Sequence, residues 1–237
     1  RREFLKMVKD HGLVLSALCG DLGHGFGDAE KNPQLIEASK RILDLAMELE
    51  TNIVTTHIGV VPTDPNHPRY KIMQDACAQL AEYADSLKAH FAIETGPETP
   101  ETLKRFLGDI GGTNIGINFD PANLKMVMDV DAAEGVRTLA GHILHTHAKD
   151  GKIYKFMGGE EVYGIFCEGG IEDLQKLGDY FEEVPLGEGD VNWDGYIKAL
   201  NETGYKGFFT IERECGADPT ADIKLAVAFL KKLLGQA

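Results

Sequence analysis

Residues His142-Ile143-Leu144-His145-Thr146-His147-Ala148-Lys149-Asp150 read as a strand whose polar, chemistry-bearing side chains fall at every second position. Successive side chains of a strand point to opposite faces, so His145, His147 and Lys149 share one face. Three further apolar runs end in the same way: Ile93-Glu94-Thr95-Gly96, Phe119-Asp120-Pro121 and Ile211-Glu212-Arg213-Glu214. Taken singly, a Glu at a strand end is a cap or a solvated loop residue, and Asp-Pro simply begins a turn. Taken together, the four are a different matter. A buried, unpaired charge costs several kcal/mol, so four at matching positions ask for a shared counter-charge. A divalent cation is the natural partner of three carboxylates and an imidazole. Of the two histidines, His145 is the one expected to be a hydrogen-bonded core residue.

Between these runs the apolar period changes from two to 3.6. Leu35, Ile36, Ser39, Ile42, Leu43 and Ala46 make one helical face, and Met73, Cys77, Leu80, Ala81 and Ala84 another. Helix starts are marked at Thr99-Pro100-Glu101, at Asp131-Ala132-Ala133-Glu134 and at Asp190-Val191-Asn192-Trp193-Asp194, and a final helix covers Ala221–Leu234. The expected strands are Leu13–Cys19, Asn52–Gly59, His90–Gly96, Asn114–Asp120, His142–Asp150 and Gly207–Glu214. Repeated βα units of this kind build a parallel sheet. The fold class is therefore α/β; the expected architecture is a TIM (β/α)8-type barrel, in which the C-terminal strand ends converge on one cavity. No Pro- or Ser-rich linker divides the chain, so residues 1–237 read as one domain. The long interruption, 151–189, leaves from the C-terminal end of a strand and is expected to be an active-site lid or specificity loop, with a helical stretch at Ile171–Phe181.

The bulk composition weighs against several classes. The 237 residues are 43% hydrophobic and 26% charged, as in ordinary globular proteins, and carry a net charge of −14. Nucleic acid and anionic membranes are repelled by such a surface. The cysteines Cys19, Cys77, Cys167 and Cys215 show no CxxC spacing and read as reduced thiols of a cytoplasmic protein. No apolar run approaches the ~20 residues that span a bilayer.

The strand-end Glu94, the Asn118-Phe119-Asp120-Pro121 run, the His145-Thr146-His147-Ala148-Lys149-Asp150 strand, Pro185-Leu186-Gly187-Glu188-Gly189-Asp190 before a helix, and the final Thr210-Ile211-Glu212 form a series. Along nearly the whole chain this series resembles the xylose-isomerase-like TIM barrels, the sugar phosphate isomerase/epimerase superfamily. The resemblance implies that Glu94, Asp120, His147 and Glu212 hold a divalent metal, Mn2+ before Mg2+, Co2+ or Zn2+. It also implies that Glu94 and Glu212 act as an acid–base pair, moving a proton through an enediolate of a sugar or sugar phosphate. His57, Asn123, His145 and Lys149 are the expected substrate contacts, with neutralisation of the carboxylates as a second role for Lys149.

Two positions depart from the family pattern. Members often carry a His three residues after the metal-binding Asp, where this chain has Asn123; endonuclease IV-like members use that His on a multinuclear zinc cluster, so Asn favours a mononuclear sugar enzyme. Ketose 3-epimerases place an Arg six residues after the metal-binding His, where Ile153 stands, which argues against free ketoses. A dehydratase or lyase acting on a keto-sugar or inosose is the alternative, ahead of a phosphodiesterase or a non-catalytic binding protein. Partners are expected to be small molecules, with no nucleic acid or membrane and with homo-oligomerisation left open. A closed barrel needs eight strands, and only six are legible. Counting back from Glu212 on the eighth makes Leu13–Cys19 the third. The expectation is an incomplete barrel, truncated at its N-terminus and open between the first and last visible strands.

Overall fold

The computed structural model describes residues 1–112, 114–163, 165 and 180–235. Its elements run α1 (Arg2–Asp10), β1 (Leu18–Cys19), α2 (Asn32–Glu48), β2 (Ile53–Thr56), α3 (Pro68–Leu87), β3 (His90–Glu94), α4 (Pro100–Ile110), β4 (Ile115–Phe119), α5 (Pro121–Met128), α6 (Ala132–Thr138), β5 (Ile143–Ala148), β6 (Asp150–Ile153), β7 (Phe181–Val184), α7 (Trp193–Thr203), β8 (Phe209–Ile211) and α8 (Pro219–Leu233). Six strands pair in parallel in the order β1-β2-β3-β4-β5-β8, while β6 and β7 form a separate antiparallel ribbon. The large sheet is a curled half-barrel. Its two outermost strands, β1 and β8, each have one hydrogen-bonded neighbour among the described residues, and the opening lies where the sequence places it.

The strands are shorter than their sequence patterns. In the first run only Leu18 and Cys19 pair, with Val54 and Thr55, and Leu13 and Val14 are 61% and 72% exposed. Apolar residues alone do not make a strand; a ladder partner is needed, and at the sheet edge there is one on a single side. In the run 142–150 the ladder stops at Ala148, and the chain passes at Lys149 from the barrel into the β6–β7 ribbon. This ribbon was not expected. Phe181, assigned to the end of a helix over 171–181, instead begins β7 opposite Ile153; residues 166–179, with Cys167, lie outside the described residues. Cys19, Cys77 and Cys215 are free thiols.

Helices pack outside the sheet, and the core lies between the two layers. Phe91, Ile93, Ile117 and Phe119 from the central strands are almost fully buried, with Leu43, Met73, Leu80, Leu103 and Phe106 from the helices. The caps follow the sequence signals: Thr99, Asp131 and Asn192 each accept backbone N–H bonds at the N-termini of α4, α6 and α7. No helix among the described residues is long and apolar enough to cross a membrane.

One buried carboxylate ties the last third of the chain together. Asp150 Oδ1 accepts from the N–H groups of Gly151 (2.9 Å) and Val191 (3.3 Å), and Oδ2 accepts from Gly187 N (2.8 Å) and Trp193 Nε1 (2.8 Å). Gly189 must be glycine for this to occur, because a Cβ there would overlap Asp150 Oδ1. The run 185–190 is thus a loop wrapped around the aspartate that closes the β5 strand motif. Asp150→Ala leaves four donors unpaired, three of them in buried hydrogen bonds, and the expected loss is about 3–5 kcal/mol of stability in urea titration. Trp193 is the only tryptophan of the chain, so the same variant should show a red-shifted emission spectrum in the absence of denaturant.

Candidate metal centre

Four strand ends deliver Glu94, Asp120, His147 and Glu212 to one place, where one ligand-competent atom of each lies within 4.8 Å of the others. Glu94 is the last residue of β3, Asp120 follows β4, His147 lies in β5 and Glu212 follows β8. His147 Nδ1 stands among the carboxylates, 3.2 Å from Asp120 Oδ2, 3.3 Å from Glu212 Oε2 and 3.5 Å from Glu94 Oε1. Asp120 has two duties. Its Oδ1 caps α5 by accepting from Ala122 N and Asn123 N, both at 2.8 Å, which leaves Oδ2 for the site. Asp120-Pro121 thus begins α5 and at the same time brings a carboxylate oxygen to the cluster.

The titration behaviour follows from this crowding. Burial works against a proton on His147, but hydrogen bonding to Asp120, Glu212 and Glu94 outweighs it and carries the pKa up to about 12. For Glu212, burial favours the neutral acid, yet His147 and Lys149 bring the pKa down to about 2. Three carboxylates, largely shielded from water, need a strongly positive partner, and the donor set fits a divalent cation.

The remaining site residues of the sequence reading fall into two groups. His57 and Asn123 face Glu94: Asn123 Nδ2 donates to Glu94 Oε1 at 3.1 Å, and His57 Nε2 stands 3.7 Å from the same oxygen. Asp21 Oδ2 holds the other His57 nitrogen at 2.9 Å. Burial alone would depress the His57 pKa; Glu94 and Asp21 raise it to about 9. Lys149 and His145 are engaged elsewhere. Lys149 Nζ donates to Glu212 Oε2 at 3.0 Å and to Glu214, with Glu183 at 3.8 Å, so its neutralising role is the one formed here. His145 has both ring nitrogens occupied, by Asn118 Oδ1 and Thr210 Oγ1, each at 2.9 Å. Burial and the neighbouring His147 lower its pKa to about 4. Both ring nitrogens thus have partners within the protein, the arrangement of a hydrogen-bonded core residue.

Several participants carried no local signal. Asn118, fully buried, links the site through Nδ2, 3.1 Å from His147 Nε2 and 3.3 Å from Glu94 Oε2. Its shared strand parity with Asp120 was the available clue. Asp21 and Glu183 reach the site from loop and ribbon, where spacing says nothing about proximity. Glu98 is buried beside the site, accepting from Val61 N at 2.7 Å.

A profile of the xylose isomerase-like TIM barrel family matches residues 1–233. Among curated proteins, an uncharacterized protein of Methanocaldococcus jannaschii is 22% identical over 213 residues, covering 85% of this chain and 64% of its own length. The rhizopine catabolism protein MocC of Rhizobium meliloti is 27% identical over 142 residues, covering 60% of this chain and 41% of its own. This chain therefore spans less than two thirds of either relative. Among solved structures, a xylose isomerase domain protein from Planctomyces limnophilus superposes with a TM-score of 0.81 at 26% identity, covering 98% of this chain and 82% of that one. A D-tagatose 3-epimerase-like protein gives 0.75 at 20% identity, covering 99% and 82%, a likeness of fold.

Glu98 supplies a test of the electrostatics that needs no ligand. Burial raises its pKa to about 8, above the unfolded value near 4.5, so the folded protein keeps a proton that the unfolded chain has released. The stabilisation is complete below about pH 4.5 and is lost as pH rises toward 8, with a slope of about 1.4 kcal/mol per pH unit. Glu98→Gln retains the acceptor for Val61 and removes the titration. Urea denaturation across pH 5–8 should show the variant's stability rising relative to the parent as pH increases.

Proposed function

The chain belongs to the xylose isomerase-like TIM barrel family, and from that premise we propose a metal-dependent isomerase or epimerase acting on a sugar or sugar phosphate. The convergence of Glu94, Asp120, His147 and Glu212 within 4.8 Å carries this reading. Donors on opposite sides of an ion at 2.0–2.6 Å stand roughly 4–5 Å apart, so the spread suits one shared ion. The oxygen-rich set favours Mn2+, with Mg2+, Co2+ and Zn2+ as alternatives. When bound, the ion supplies positive charge beside a substrate carbonyl and a neighbouring hydroxyl, which acidifies the carbon between them.

The chain's own groups then move the proton. One of Glu94 and Glu212 takes it from that carbon. The other returns one to the opposite face, giving epimerisation, or to the adjacent carbon, giving isomerisation. Asn123 and Asn118 orient Glu94, while Lys149 keeps Glu212 ionised and in place. His57 and Asn123, both facing Glu94, are assigned to the substrate. We read the whole chain as one domain, with the 151–189 excursion as its specificity element.

Two measurements test the reading. Incubation with Mn2+ in D2O and a panel comprising D-fructose, D-tagatose, D-fructose 6-phosphate, D-ribulose 5-phosphate and an inosose should give deuterium incorporation without loss of water. A dehydrated product instead would move the assignment to a lyase. Glu94→Gln and Glu212→Gln, which keep size and remove the base, should lower turnover by roughly 10²–10⁴. In parallel, Mn2+ titration followed by electron paramagnetic resonance should show one ion bound per chain and weak or no binding in His147→Ala, with His145→Ala retaining the ion.

A further inference from the structure

Residues 159–163 form a helical turn within the excursion that follows β6. This turn lies directly on the loop after β3. A Cβ on Gly159 would overlap the Pro97 carbonyl, and Val162 is buried in the core. Tyr163 consequently reaches the site from outside the barrel strands. Its hydroxyl rests on Gly96, where a Cβ would collide with the phenol oxygen and stand 3.6 Å from Asn123 Cβ. Its ring lies 6.2 Å from that of His57, tilted by 48°.

The two residues flanking Tyr163 are the two that face Glu94 Oε1, Asn123 at 3.1 Å and His57 at 3.7 Å. The phenol therefore stands over the same side of the centre as the proposed substrate contacts. Its hydroxyl can both donate and accept, which suits a ligand bearing hydroxyl groups. The position of Gly96 fits this arrangement, since any larger residue would evict the phenol.

We propose that Tyr163 is a specificity-determining residue that contacts the polyhydroxylated substrate on its Glu94 side, seated there by the absence of a side chain at Gly96. This rests on the metal-dependent sugar reading above. In such a site the barrel strands supply the acid–base groups, and the excursion supplies the group that discriminates among substrates.

The test compares the parent, Tyr163→Phe and Gly96→Ala by Mn2+ affinity and by deuterium exchange with the same panel of ketoses, ketose phosphates and inosose. Tyr163→Phe keeps the ring and loses one hydrogen bond, so KM for the preferred compound should rise about tenfold with kcat changed far less. Gly96→Ala, which displaces the whole phenol, should raise KM at least as much and alter the order of preference within the panel. The Mn2+ dissociation constant and melting temperature of Tyr163→Phe should match the parent's. Parental KM and preference in both variants would overturn the proposal, as would loss of Mn2+ binding in Tyr163→Phe, which would mark the residue as structural. A parent protein that binds no Mn2+, or exchanges no proton with any compound, overturns the functional reading itself and this proposal with it.

Discussion

Bringing three carboxylates to within a few ångströms of one another, largely out of contact with water, is the costly feature around which this protein is organised. The repulsion grows as the local dielectric falls, so each carboxylate must be matched by a positive group or a donor. The structure answers at several distances. His147 sits among the three, Lys149 binds Glu212 and Glu214, and His57 lies against Glu94. Farther out, Arg213 holds Glu183 at 2.7 Å and Asp222 at 2.8 Å, so Glu183, the carboxylate 3.8 Å from Lys149, is itself compensated. Neutral donors complete the set, with Asn118 and Asn123 both directed at Glu94.

The scaffold makes this possible through parallel pairing. In a parallel sheet the C-terminal ends of all strands lie on one side, and curling draws those ends together. The register aligns Glu94 with Asn118, Asn118 with His145, and Ala148 with Ile211, the residue before Glu212. The four ligand-competent residues stand at or just past the ends of β3, β4, β5 and β8, consecutive in the sheet order, so the cluster is assembled along one uninterrupted run of strands. The opening beside β1 and β8 leaves that run intact, with each of these two strands lacking a second neighbour among the described residues.

Asp150 marks the transition from the barrel to its excursion. One position earlier Lys149 faces the carboxylate cluster; Asp150 itself turns away and gathers four donors from residues 151–193. Adjacent residues of opposite parity thus perform separate tasks, one electrostatic at the site and one architectural behind it. The ribbon anchored in this way also brings Glu183 toward Lys149 and Arg213.

Much of this was legible in the residue order, because alternation, helical periodicity and capping are local effects written within a few positions. The six parallel strands, the starts of α4, α6 and α7, the gap at the barrel seam and the joint location of Glu94, Asp120, His147 and Glu212 all follow from such signals. What the residue order leaves open is which distant atoms come within bonding distance. His145 and His147 share a strand face and a residue type, yet one is sealed between Asn118 and Thr210 and the other stands among the carboxylates. The preference of Lys149 for Glu212 and Glu214, the pairing of Phe181 with Ile153 and the seating of Tyr163 over Gly96 likewise depend on contacts between segments far apart in the chain. Local periodicity constrains which face a side chain takes; only the packed sheet, with its curl and register, sets what it meets there.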